Sequence, residues 1–113
     1  ELGADAHAKT ADGATPLHRA ALKGQVEAAR ALVELGADVR ATTVGGATAL
    51  HDAADAGQVE ALRALVELGV DVRAKTTHGL TALHVAAAGG KVEVVRAFVE
   101  LGADVRDRNA CGR

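Results

Sequence analysis

The sequence contains no Ser, Ile, Tyr, Trp or Met, and only one Phe, one Pro and one Cys. Without serine there is no hydroxyl of that type for nucleophilic catalysis. The lone Cys111 excludes an internal disulfide framework and suits a reducing, intracellular compartment. It lies near a terminus with no organised base in view, so a frayed thiol is expected, not a catalytic one. Without Tyr or Trp there is no aromatic platform on which nucleic-acid bases stack. No apolar run is long enough to span a bilayer, and the start carries no signal-peptide pattern. Lacking Met, the stretch reads as a processed or excised piece. Charges nearly cancel at a formal −2, which gives no electrostatic reason to expect nucleic acid or an anionic membrane. At 113 residues the chain is expected to form a single domain, 1–113. With one Phe98 and abundant Ala and Gly, its core must be built from Leu, Val and Ala at close helix approach.

The dominant feature of the chain is a period. Thr15-Pro16-Leu17-His18 returns 33 positions later as Thr48-Ala49-Leu50-His51, and again as Thr81-Ala82-Leu83-His84. The same step carries Val26-Glu27 to Val59-Glu60 and Val92-Glu93, and Leu35-Gly36 to Leu68-Gly69 and Leu101-Gly102. Self-similarity at such a period marks stacked repeats. Full repeats are expected at 10–42, 43–75 and 76–108, with 1–9 the tail of a partial repeat and 109–113 the start of a truncated one.

Local signals agree within each copy. Thr15 is a good N-cap, because its hydroxyl can accept from a free first-turn amide. Pro16 follows at the first helical position, where a missing N–H costs nothing. A short first helix should end near Gly24, Gly57 and Gly90, where glycine can adopt the left-handed conformation. A second should run from about Val26, Val59 and Val92 to Leu35, Leu68 and Leu101, stopped by Gly36, Gly69 and Gly102. Gly13, Gly46 and Gly79 then fall at turn tips. Helices this short are marginal alone, so packing must hold them. Leu17, Ala20 and Ala21 should face inward, as should Leu50, Ala53, Ala54 and Leu83, Ala86, Ala87. Glu27 and Arg30 stand at i,i+3 spacing and suggest a helix-surface pair.

The frame Thr-Pro-Leu-His-x-Ala-Ala, then Gly, Val-Glu and Gly-Ala-Asp-Val, resembles the ankyrin repeat over nearly the whole chain. That resemblance implies an all-α solenoid of stacked helix-turn-helix units joined by β-hairpin-like turns. It implies a non-catalytic module that binds a partner protein on a concave surface of turn tips and first-helix faces. It also implies that His18, His51 and His84 each bond the capping Thr and a carbonyl of the adjoining turn. Repeats two and three depart from the usual Pro with Ala49 and Ala82. Arg40, Arg73 and Arg106 stand where the family commonly has Asn.

Chemistry has little to build on. The three frame histidines would lie a helix spacing of about 8–10 Å apart, while zinc holds nitrogen at about 2.0–2.1 Å; no metal is expected. Gly45-Gly46 and Gly89-Gly90 lack the Lys-Ser/Thr that a phosphate loop needs, and no cofactor is expected. Arg40, Arg73 and Arg106 could line a basic strip, but pairing with Asp38, Asp71 and Asp104, or with a Glu of the preceding helix, is the simpler reading. His7 and His78 belong to turns.

The resemblance implies that the contact positions are those that vary between copies. Here they are Ala11, Asp12, Ala14, Arg19, Leu22 and Lys23 in the first repeat. In the second they are Val44, Gly45, Ala47, Asp52, Asp55 and Ala56. In the third they are Thr77, His78, Leu80, Val85, Ala88 and Gly89. The alternative is a structural spacer or engineered scaffold without a partner of its own. Apolar residues of the outer repeats, Leu17, Leu22, Val26, Leu32 and Val33 at one end and Val85, Val92, Val94, Val95, Phe98 and Val99 at the other, add an expectation of fraying of a terminal repeat or of self-association through uncapped terminal repeats.

Overall fold

The computed structural model describes residues 10–101. The expectations placed on 1–9, Gly102, Asp104, Arg106, Cys111 and 109–113 lie outside the described residues. Six helices follow one another: α1 Pro16–Lys23, α2 Val26–Glu34, α3 Ala49–Ala56, α4 Val59–Glu67, α5 Ala82–Ala88 and α6 Val92–Glu100. No strand occurs among the described residues.

Each pair begins on the same device. The Thr15, Thr48 and Thr81 hydroxyls accept from the amides of His18, His51 and His84, and each imidazole accepts from the amide of its Thr in return. This reciprocal cap satisfies two otherwise orphan donors at the helix start. Gly24 and Gly57 end α1 and α3 in the left-handed region, with φ of 72° and 75°. The third pair differs. Gly89 stands where the others have Lys23 and Ala56, so α5 stops at Ala88 and the left-handed residue is Gly90. Glycine's poor helix propensity accounts for the lost residue.

The pairs stack in register. Helix α1 packs on α3 and α3 on α5, while α2 packs on α4 and α4 on α6. The result is elongated, 47 × 25 × 22 Å. Leu17, Ala20, Ala21, Leu50, Ala53, Ala54, Leu62, Leu65, Ala86 and Phe98 are buried in one continuous core. One inward assignment fails: Ala87 is exposed, whereas Ala21 and Ala54 are fully buried. The equivalents are covered by the helix of the following pair, α3 over α1 and α5 over α3. Among the described residues no further first helix stacks on α5 as α5 does on α3.

The second helices are tied across repeats, not along themselves. Arg30 reaches Glu67 at 3.0 Å, and Arg63 bonds Glu100. The i,i+3 pairing expected of Arg30 with Glu27 does not form, because the stacked helix offers Glu67 37 residues on. Exposed pairs such as Arg30–Glu67 give about 0–1 kcal/mol, so this is a register contact more than a stabiliser. The acids of the intervening segments bond the backbone two residues on. Asp38 and Asp71 accept the backbone amides of Arg40 and Arg73, at 2.8 and 2.9 Å.

Candidate interaction groove

The turn tips are built alike. Thr10, Thr43 and Thr76 donate their amides to the carbonyls of Ala14, Ala47 and Leu80, each at 2.9 Å. Their hydroxyls accept from the amides of the same three residues at 3.2 Å. Adjacent tips are then joined edge to edge. Val44 N–H donates to the Asp12 carbonyl at 2.9 Å and Thr77 N–H to the Gly45 carbonyl at 3.0 Å. At Gly46, φ is 84° and a Cβ would stand 2.8 Å from the Thr77 nitrogen. Only glycine fits that conformation and that approach together.

The frame histidines fasten the tips to the helices. The His18 Nδ1 accepts from the Thr15 amide at 3.0 Å, so its Nε2 carries the hydrogen and donates to the Ala47 carbonyl at 2.9 Å. His51 repeats this between Thr48 at 3.1 Å and Leu80 at 2.8 Å. Both rings are buried, and all their nitrogens are engaged by protein. Burial holds the His51 imidazole below its ordinary pKa, partly offset by the Leu80 carbonyl. His84 accepts from the Thr81 amide at 3.1 Å but is exposed.

Over this frame lies a groove of about 600 Å³ between the first two tips and the faces of α1 and α3. Asp12 and Ala14 line it from the first tip, Arg19 and Leu22 from α1, Val44, Gly45 and Ala47 from the second tip, and Asp52 from α3. All are among the residues singled out for varying between copies. Thr10, His18 and Thr43 also line it, and sequence reasoning passed over them as frame residues. Val44 is 76% exposed on its rim.

The remaining candidates lie elsewhere. Ala11, Lys23 and Asp55 are exposed and Ala56 is part-buried, all outside the groove wall. In the third repeat Thr77, His78, Leu80, Ala88 and Gly89 are exposed and Val85 is half-buried, and none of them borders the groove. Ala47 and Leu80 also serve the frame, through the carbonyls that hold His18 and His51.

The groove's charges are unequal in kind. Asp12 is exposed and accepts from the Thr10 hydroxyl, which with the Ala14 backbone holds its carboxyl below the usual value. Asp52 is half-buried, and burial raises its carboxyl, with His18 opposing and Asp55 and Asp12 adding to the rise. Among the described residues Arg19 makes no ion pair with it.

The ankyrin-repeat family model, three copies long, matches residues 2–76 and again 45–109. The chain belongs to the ankyrin-repeat family. Ankyrin repeats are generally protein–protein interaction modules, and the family is generally non-catalytic. No curated protein matches the chain as a relative. No helix among the described residues is long and apolar enough to cross a membrane. The groove thus lies on an ankyrin stack, where the repeated frame carries the fold and the tips vary.

Proposed function

We propose that the protein binds a partner protein through the concave surface of turn tips and first-helix faces, centred on the groove between the first two tips. The supporting observation is the division of labour in that groove. Its frame is pinned by His18, Thr43 and the tip-to-tip bond from Val44 to Asp12. Its surface is given by residues that differ between repeats: Arg19 against Asp52, Leu22 against Asp55, Asp12 against Gly45. A rigid scaffold with variable surface side chains is how connecting segments carry recognition. The repeat units on this reading are 10–42, 43–75 and 76–108.

A photo-crosslinking residue placed at Val44 should capture a discrete partner from cell extract. The same residue at Glu60, on the exposed side of α4, should not. Capture from Glu60 alone would move the binding surface to the second helices and overturn the reading.

A further inference from the structure

The groove is not electrically neutral, and its charges differ in how well water serves them. Asp12 and Asp52 line it against one cation, Arg19. Arg19 is exposed, so water solvates it at little cost. Asp52 is half-buried on α3, with Asp55 one turn further along the same face. Among the described residues its carboxylate accepts no hydrogen bond and joins no ion pair. A part-desolvated carboxylate without a partner gains most from an incoming cation. The apolar surroundings are also in place: Leu22 and Val44 are exposed at the groove's edge without a described apolar cover.

Gly45 adds an observation independent of charge. Its φ lies outside the left-handed region, and a Cβ there would meet nothing within 4 Å. The fold therefore does not require glycine at this lip, unlike Gly46 beside it. A glycine that the backbone does not need leaves room for another chain to approach closely.

We infer that the groove receives an arginine side chain from an extended segment of the partner, its guanidinium against Asp52 and Asp12 and its stem along Val44 and Leu22. This rests on the concave-surface reading above and names the partner's anchor. Arginine suits the site better than lysine. Its planar fork can bond two carboxylates at once, and it is less strongly hydrated than an ammonium group. An acidic anchor for Arg19 is disfavoured, since it would bring a third negative charge beside a carboxylate that already lacks a partner.

The test is selection of a randomised nine-residue peptide library, displayed on phage, against the full chain. Selected peptides are then titrated into the labelled protein by amide NMR. The expected result is enrichment of arginine flanked by apolar residues, with shifts centred on Val44, Gly45 and Asp52. Asp52→Asn should weaken such a peptide about tenfold or more, as loss of one partner of a desolvated charge pair does. Asp12→Asn should weaken it less, because Asp12 is already solvated and bonded to Thr10. Unfolding of each variant checks that the fold is kept. Peptides that shift the groove but carry no arginine, or carry lysine equally well, overturn the anchor and leave the concave-surface reading standing. Peptides that shift only α2, α4 and α6 overturn both. No enrichment, or binding unchanged by Asp52→Asn, also overturns the anchor.

Discussion

The His51 Nε2 donates to the Leu80 carbonyl at 2.8 Å, across 29 residues of chain. The ring that closes the cap of α3 thereby also closes the turn tip of the next repeat. His18 makes the same bridge to Ala47, so local capping and repeat-to-repeat register share one side chain.

Replacing His51 with Ala removes both ends of that bridge: the Thr48 amide loses its protein partner, and the Leu80 carbonyl keeps only the Thr76 amide. The expected loss is about 1–3 kcal/mol in urea-induced unfolding. His84→Ala should cost less, because His84 is exposed where His51 is 3% exposed. Equal losses at the two positions would contradict this account.

Acid should weaken the fold through the same ring. The His51 Nδ1 accepts from the Thr48 amide, so a proton there would face a donor. Burial accordingly lowers the folded pKa below the ordinary 6.5. On acidification the unfolded chain takes up its proton first. The contribution is thus full above about 6.5 and is lost as pH falls from there to the folded value. Urea midpoints measured from neutral to mildly acidic pH should fall in the wild type more than in His51→Asn. Parallel curves would show that another group governs the window.

Asp52 carries the opposite sign. Burial raises its folded pKa, so the fold prefers the protonated carboxyl. The associated stability is present below the ordinary carboxylate value and is lost as pH rises through the folded value. At neutral pH Asp52→Asn should therefore hold or raise the unfolding midpoint while impairing binding. A clear loss of stability in that variant would mean that the carboxylate has a structural partner.

The two adjacent glycines of the second tip should respond in contrary ways. Gly46→Ala forces a side chain into a φ of 84° and against the Thr77 nitrogen, and should cost about 1–3 kcal/mol. Gly45→Ala meets neither obstacle and should be neutral or stabilising by about 0.4–1 kcal/mol through the unfolded chain. Thermal unfolding of the pair separates the cases; a similar loss in both would show that the tip tolerates no side chain at either place.

The period, the helices and their ends follow from local chemistry along the chain. Thr15, Thr48 and Thr81 cap through hydroxyls that reach only a few residues, and Gly24 and Gly57 terminate by their own backbone freedom. Such effects are local, so they can be read in order along the chain. The His–carbonyl bridges were legible only through the likeness to ankyrin repeats, since their acceptors lie in the next repeat. Which distant residues meet depends instead on how the repeats stack. Stacking gave Arg30 the distant Glu67 in place of the nearby Glu27. It buried His18 and His51 and left the identically placed His84 exposed, because the first two are covered by a following helix pair. It half-buried Asp52 in the groove that Asp12 also lines while its repeat-mate Arg19 stayed in water. The period makes these positions equivalent; their place in the stack, which sets solvent and neighbours, does not.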